Sequence, residues 1–201
     1  MIQHLNNKLL LTALRFVVEE NKACDNAYHN TYHIFNVTKN AAEAANYYNL
    51  DSITETTLLL AAMFHDINHS GGWLSDEDNI NIAFQDFGNF YEKHTNLFDD
   101  FMISYEKVCN LIEITEYPHK REPKTIEEKI IIDSDLSCYY SDNWYLSVIE
   151  GFLIKEQKLT YEEAIKTQIN FIENVKFHTT YFNKKHVENK EIILYQLKKL
   201  Q

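Results

Sequence analysis

Glycine and proline are scarce in this sequence, with four glycines and two prolines in 201 residues, against roughly 7% and 5% in average proteins. All-β folds need many turns that contain Gly or Pro, so this scarcity argues against them. The glycines stand at positions 71, 72, 88 and 151, a spacing that forms neither a dinucleotide-binding G-x-G-x-x-G nor a phosphate-binding P-loop. The sequence therefore predicts a predominantly helical protein.

The sequence also contains few cysteines, and its basic residues are outnumbered by its acidic residues. Cys24, Cys109 and Cys138 are unclustered and lack C-x-x-C spacing, so they are predicted to be buried small hydrophobes in a reducing compartment. The formal net charge of -11 argues against nucleic acid or an anionic membrane as a partner, although a bound cation would still allow a small anionic substrate. The N-terminal stretch resembles neither a signal peptide nor a membrane span, which predicts a cytoplasmic protein.

Aromatic and aliphatic residues are plentiful and recur at helical spacing. The 13 Tyr, 12 Phe and 2 Trp can fill a sizeable core, and no repeat or linker divides the chain. We expect a single all-α domain over residues 1–201, with the first helices at about 3–22, 31–48 and 52–65. A fourth helix should begin at a cap provided by Asp76 or Asp78 and continue through Phe87. Later helices are predicted at about 99–116, 125–139, 142–156, 160–176 and 184–200.

Side chains that bind metals concentrate in three clusters, each at the boundary of an apolar stretch: 28–33, 64–69 and 130–137. His29 and His33 are four residues apart, so on a helix they share a face. The adjacent His65 and Asp66 are costly to bury unpaired, as is a carboxylate within an apolar helix. Two imidazoles and two carboxylates from three helices would suit a first-row divalent metal and leave coordination positions for water and substrate.

The three clusters together resemble the HD superfamily of metal-dependent phosphohydrolases. The segments that carry the resemblance are Y-H-N-x-x-H, then A-A-x-x-H-D-x-x-H-x-G, then S-D-L-S. The first two are written much as in class I cyclic nucleotide phosphodiesterases. The later chain is similar to small bacterial proteins described as predicted metal-dependent HD phosphohydrolases, in which a Leu-Ile-x-x-Thr helix leads to a His and then to Asp-x-Asp-Leu. The resemblance covers nearly the whole chain and implies an all-α bundle with the metal between helices.

The resemblance also implies a ligand set for the first metal, carried over by motif. These residues are His33, His65, Asp66 and Asp135, with Asp133 as the alternative to Asp135. Asp135 is preferred because it precedes Leu-Ser, as in the phosphodiesterases. The cofactor would be one or two divalent ions of Mg, Mn, Zn, Co or Fe, bridged by Asp66 where there are two.

The implied catalytic residues are His29, His69 and Asp66. His29 matches the general acid of the phosphodiesterase motif, and His69 matches the histidine that borders the metal-bound water. A metal-activated hydroxide would attack phosphorus in line while protonated His29 donates to the departing ester oxygen. The expected function is hydrolysis of a small phosphate ester, most of all a nucleotide or cyclic nucleotide phosphodiester.

Four further residues stay open as contributors to a second metal or phosphate site: His94, His119, Lys120 and Arg121. His119 lies in a Pro-bounded loop beside Lys120 and Arg121, whereas His94 has no motif context and is more typical of a surface residue. Two rival functions are also open. One is a di-iron HD-fold oxygenase, which would need both His94 and His119 as ligands. The other is a regulator that binds a nucleotide without turnover. The oligomeric state is not predicted.

Overall fold

All regular structure in the described part of the chain is helical. The structure is a computed structural model that describes residues 7–200. Its α-helices are α1 (Lys8–Glu20), α2 (Thr31–Tyr47), α3 (Ser52–Phe64), α4 (Asp76–Asp100), α5 (Tyr105–Glu113), α6 (Ile126–Leu136), α7 (Tyr161–Asn174) and α8 (Thr180–Lys198). Two 3₁₀ turns occur at Lys22–Asp25 and Ser137–Tyr140, and a π-helix spans Tyr145–Glu156. No strand occurs between residues 7 and 200, so the all-α prediction is confirmed.

Local sequence signals explain where the α-helices begin. Each starts behind a small polar residue whose side-chain oxygen accepts a backbone N–H of the first turn, an interaction that stabilises a helix by about 1 kcal/mol. These caps are Asn7, Asn30, Asp51, Ser75, Ser104, Thr125, Thr160 and Thr179. The cap at Asn30 begins α2 three residues before His33, so this histidine lies in the first turn.

Helix α3 is the central element of the bundle. Every residue from Thr56 to Phe64 is buried, as expected for a helix that is apolar on all sides. It packs against α1, α2, α4, α5 and α6, and the buried apolar side chains of all eight α-helices form one cluster. Because α3 ends at Phe64, His65 and Asp66 emerge from the middle of the molecule.

Several predicted boundaries were wrong. Helix α4 is capped by Ser75 rather than by Asp76 or Asp78, and it continues to Asp100 with a kink at His94. The helix predicted at 99–116 is therefore shorter than expected and corresponds to α5, Tyr105–Glu113. Helix α8 begins four residues early, at Thr180. The predicted start of the first helix, at residues 3–6, lies outside the described residues.

Two other sequence expectations can be compared with the structure. Cys24 is exposed in the 3₁₀ turn Lys22–Asp25, so its predicted burial was wrong, whereas Cys138 is buried and Cys109 is half-buried. A single turn at the end of α1 offers no interior in which to bury Cys24. Between residues 7 and 200, no helix combines the length and the apolarity needed to cross a bilayer.

Candidate metal centre

Three helix ends bring two imidazoles and two carboxylates to one point. His33 lies in the first turn of α2, His65 caps the C-terminus of α3, and Asp66 follows it. Asp66 Oδ2 lies 3.0 Å from His33 Nε2 and 3.3 Å from His65 Nε2. Asp135, in the last turn of α6, places Oδ1 3.1 Å from His33 Nε2 and 3.9 Å from His65 Nε2. The ligand atoms of His33, His65 and Asp66 all lie within 4.8 Å of one another.

The imidazoles form the buried side of this cluster and the carboxylates form its outer side. The side chains of His33 and His65 are 2% and 1% exposed, whereas those of Asp66 and Asp135 are 14% and 30% exposed. Water and small molecules therefore reach the cluster from the carboxylate side.

The ring nitrogens of His33 and His65 have the arrangement that metal-binding histidines need. His65 Nδ1 lies 2.9 Å from the carbonyl oxygen of Ala62, to which it can only donate, so in the neutral ring Nε2 carries the lone pair. His33 Nδ1 lies 3.6 Å from Cys138 Sγ. The Nε2 atoms of both histidines are buried and make no hydrogen bond, although carboxylate oxygens lie nearby. Two atoms bound at right angles to one ion at about 2.1 Å are about 3.0 Å apart, so the donor set fits a divalent cation.

The electrostatics of the cluster balance positive against negative groups. Burial by itself lowers the pKa of His33, but Cys138 and the carboxylates of Asp135 and Asp66 outweigh burial and hold this pKa well above its usual range. Burial raises the pKa of Asp66, but the neighbouring His65 and His33 outweigh that effect and hold it well below its usual range. The carboxylates thus stay charged and pair with the imidazoles, and a bound cation would replace the positive charge of those rings.

The two candidate aspartates of α6 have different surroundings. Asp133 is fully buried, and its carboxylate accepts the backbone N–H groups of His178 and Thr179 at 2.9 and 2.8 Å. Asp133 therefore holds the start of α8 to α6, and it is Asp135 that faces His33.

A second group of side chains lies beside the cluster and centres on His29. His29 Nδ1 lies 2.5 Å from Glu156 Oε2, and Glu156 Oε1 accepts the backbone N–H groups of Tyr28 and His29 at 2.6 and 3.1 Å. The ring of His29 stacks on that of His69 with centroids 3.8 Å apart, and it lies 5.6 Å from the ring of His33. His29 is thus fixed at Nδ1, which leaves its Nε2 available for chemistry.

His69 has the opposite tautomer preference to His65. Its Nδ1 accepts the backbone N–H of Gly71 at 3.0 Å, so a neutral ring carries its proton on Nε2. Burial lowers the pKa of His69 to about 4, so the ring is neutral near pH 7. Nε2 lies 4.0 Å from Asp76 Oδ1. His69 is therefore arranged as a hydrogen-bond donor rather than as an Nε2 ligand.

Sequence reasoning did not identify Glu156. This residue ends the π-helix and is only 6% exposed. It lies 127 positions from His29 in the chain. A glutamate at the end of the apolar segment GFLIKE is the one local signal that could have marked it. Nothing in that segment shows which residue it contacts.

The loop that carries His119 lies next to the outer edge of the site. Its Tyr117 donates a backbone N–H to Asp76 Oδ2 at 2.5 Å, and His119 Nδ1 lies 3.1 Å from the carbonyl oxygen of Glu116. The metal cluster does not include His119.

The two basic residues of this loop are paired with carboxylates of the protein. Lys120 lies 3.0 Å from Glu116 and 3.7 Å from Glu77, and Arg121 Nη2 lies 2.8 Å from Glu128 Oε1. The side chains of Lys120 and Arg121 therefore form ion pairs with glutamates and do not contact the metal cluster.

His94 lies at the kink of α4, where its ring packs against Phe90 at 4.8 Å. It lines a groove with Lys8 and Thr12 of α1. This groove contains no member of the metal cluster, so the structure does not bring His94 to the site.

The fold is an all-α domain, and His33, His65 and Asp66 form a group that could hold a metal ion. Residues 30–137, more than half of the chain, match the family model of the HD domain. The chain belongs to this family, which places it in a superfamily of metal-dependent hydrolases. Comparisons with curated proteins and with solved structures gave no significant match. The matched span includes His33, His65, Asp66 and Asp135, whereas His29 and Glu156 lie outside it.

Proposed function

We propose that this protein is a metal-dependent phosphohydrolase that cleaves a small phosphate ester, most of all a nucleotide or cyclic nucleotide phosphodiester. His33, His65, Asp66 and Asp135 would hold the divalent ion. The observation that carries the proposal is the pair of buried Nε2 atoms without hydrogen bonds, which face carboxylate oxygens at the spacing of metal ligands.

The charge around the site explains why a phosphate substrate would need the metal. Asp66 and Asp135 form the outer side of the cluster, and Asp76 lies 4.0 Å from the neighbouring His69. Lys120 is paired with Glu116. An anionic phosphate would be repelled here without a compensating cation. A bound divalent ion would activate water as the nucleophile and offset the charge on the phosphoryl oxygens.

His29 is the proposed general acid. Glu156 fixes its Nδ1, so a protonated ring presents Nε2–H toward the substrate side. As the bond from phosphorus to the ester oxygen breaks, this proton would pass to that oxygen, and the imidazole would be left neutral against the Glu156 carboxylate. The stacked His69 ring limits how far His29 can rotate, and its own Nε2–H can orient an oxygen of the water or of the substrate.

Metal analysis and a phosphate-ester panel test the proposal. Purified protein would be analysed for metal content. It would then be assayed on bis-p-nitrophenyl phosphate, cyclic AMP, cyclic GMP and nucleoside monophosphates with Mg²⁺, Mn²⁺, Co²⁺ and Zn²⁺. We expect diester cleavage that depends on the metal. Cleavage of monoesters alone would leave a phosphohydrolase but overturn the diester assignment, and a protein that neither binds metal nor cleaves any ester would overturn the proposal as a whole.

Three variants separate the proposed roles. His65→Ala should lose metal and activity together. His29→Gln should keep the metal and lose about 10²–10⁴-fold in kcat. His94→Gln is the matched control, since His94 lies outside the cluster, and it should retain both metal and activity.

The two rival functions receive less support. A di-iron oxygenase would need a ligand set that includes His94, which packs against Phe90 at the helix kink. A regulator that only binds a nucleotide has no chemical use for a histidine held against a buried glutamate, as His29 is against Glu156.

A further inference from the structure

The two histidines of the metal cluster differ in what their second ring nitrogen contacts. His65 Nδ1 has a backbone carbonyl oxygen at 2.9 Å. His33 Nδ1 instead has a thiol, Cys138 Sγ, at 3.6 Å. Metal-binding histidines usually donate this N–H to a carboxylate, a carbonyl or water. Sulfur is a weaker acceptor than any of these, so the His33 side of the cluster is held in an unusual way.

Cys138 is held in place by the turn in which it lies. It belongs to the 3₁₀ turn Ser137–Tyr140, directly after α6, and is only 4% exposed. The hydroxyl of Ser137 donates to the carbonyl oxygen of Ser134 at 2.8 Å and accepts from Asn40 Nδ2 at 2.9 Å. These bonds join the turn both to α6 and to α2, the helix that carries His33. The sulfur therefore cannot move far from the imidazole.

The ring of His33 has few other contacts that would fix its rotation. The ring of Tyr28 packs against it at 4.5 Å, which limits sideways movement but sets no hydrogen-bond direction. Nε2 makes no hydrogen bond. The contact with Cys138 is thus the one directional interaction of this ring among the described residues, apart from its approach to the carboxylates of Asp66 and Asp135.

We infer that Cys138 is a positioning residue for His33 and that it sets the affinity of the cluster for divalent metal. The sulfur accepts the Nδ1–H of His33, which leaves the Nε2 lone pair aimed at the point where Asp66 and Asp135 converge. The inference rests on the proposed metal centre and goes beyond it. Cys138 is not a ligand in this assignment, and it lies one residue past the end of the span that matches the HD domain.

Metal affinity is the first readout. The Kd for Mn²⁺ would be measured by isothermal titration on the metal-stripped full chain. Removal of a partner that orients a ligand typically costs 10–100-fold in metal affinity, so Cys138→Ala should raise the Kd by about that factor. Cys138→Ser keeps an acceptor and should lose less. Cys109→Ala is the matched control, because Cys109 is also shielded but lies in α5 beside Tyr105, and its Kd should equal that of the wild type.

Infrared spectroscopy supplies a second readout that a packing role would not change. The difference between wild type and Cys138→Ala isolates the S–H stretching band of Cys138. Binding of Mn²⁺ should shift this band in the wild type, because an ion on Nε2 of His33 changes how strongly the Nδ1–H donates to the sulfur. His33→Ala should abolish the shift. If the position of this band in the wild type did not change when Mn²⁺ binds, the inference would be overturned.

The outcomes separate this inference from the proposed function. If His65→Ala loses Mn²⁺ while Cys138→Ala binds it like the wild type, the metal centre stands and the role of Cys138 is wrong. If His65→Ala also binds Mn²⁺ like the wild type, the proposed metal centre itself fails. Should Cys138→Ala not unfold cooperatively, Cys138→Val, which fills the space but accepts no hydrogen bond, replaces it: a Kd above that of Cys109→Ala supports the inference, and an equal Kd overturns it.

Discussion

At the scale of single residues, the tautomers of four histidines divide the site into two parts. His33 and His65 have Nδ1 engaged by an acceptor and Nε2 unpaired, which suits ligands. His69 has Nδ1 engaged by a donor, which suits a hydrogen-bond donor at Nε2. His29 has Nδ1 against a carboxylate, which suits a proton donor. Neighbouring atoms, rather than the residue type, thus distinguish the three roles proposed for these four histidines.

Replacing Glu156 should impair catalysis only through His29. Glu156→Gln keeps the size of the side chain and an oxygen for the backbone N–H groups but removes the carboxylate that His29 Nδ1 contacts. We expect kcat to fall by about 10-fold or more, yet by less than in His29→Gln. In a double-mutant cycle, Glu156→Gln should cost nothing further once His29 is Gln. Equal losses in both backgrounds would show that Glu156 acts independently of His29.

Acid should destabilise the metal-free protein partly through His69. Its folded pKa of about 4 lies below the value of roughly 6.5 in an unfolded chain. Between these values the unfolded chain binds a proton that the folded chain does not, so the free energy of unfolding falls as the pH falls from about 6.5 to 4. In urea unfolding at several pH values, His69→Gln should show a shallower decline across this window than the wild type. Identical declines would mean that His69 is not held neutral.

The choice between Asp133 and Asp135 shows the limit of prediction at this scale. Both acids lie in the same apolar helix, and the family resemblance favoured Asp135 as the ligand with Asp133 as the alternative. Residues two apart on an α-helix point about 200° away from each other, so only one can face the cluster. The sequence does not specify how α6 is rotated, and packing turns Asp133 toward the start of α8 instead.

At the scale of elements, two glycines allow the π-helix to deliver Glu156 to His29. A Cβ on Gly151 would lie 2.6 Å from the carbonyl oxygen of Ala27, and one on Gly72 would lie 2.8 Å from that of Glu156. Gly72 also has a φ of +90°, which other residues rarely adopt. The π-helix can therefore approach the segments around Ala27 and Gly72 this closely only because Gly151 and Gly72 have no Cβ atom.

Gly151→Ala should separate the π-helix from the segment that carries His29. Because the clashing atom is backbone, we expect a loss of about 1–3 kcal/mol in the free energy of unfolding and a lower kcat. Gly88→Ala is the matched control, since a Cβ there would meet only the hydroxyl of Tyr105 at 3.5 Å. Because Gly88 lies within α4, Gly88→Ala should raise the free energy of unfolding by up to about 1 kcal/mol. Chemical denaturation and a diesterase assay check both variants. If Gly151→Ala had the same free energy of unfolding and the same kcat as the wild type, the close packing at Gly151 would not be needed.

At the scale of the whole molecule, metal binding and folding should be linked. The proposed ligands come from α2, α6 and the end of α3, so one ion would connect three helices of the bundle. An ion that binds only the folded chain stabilises it by about 2.7 kcal/mol at 100 times its Kd. For a chain of this size that corresponds to a rise of about 5–10 °C in Tm. Differential scanning calorimetry should show this rise in Tm with Mn²⁺ and its loss with excess EDTA.

His65→Ala provides the control for that experiment. Its Tm should not respond to Mn²⁺, because the cluster has lost a ligand. An equal rise in this variant would place the ion elsewhere. The same scans test the prediction of a single domain, since one continuous core cluster should unfold in one cooperative transition. Two separate transitions would contradict it.

The sequence by itself determined the helical class, the starts of several α-helices such as α2 and α3, and the family, because these depend on residues close together in the chain. Caps such as Asn30 and Asp51 act within three residues, and the His-Asp motif is contiguous. The tertiary structure alone decided that Asp133 is turned toward the start of α8, that Glu156 holds His29, and that Cys138 contacts the second nitrogen of His33. Each of these depends on how one helix is rotated and placed against another, and that arrangement is set by the packing of the whole core rather than by any local pattern.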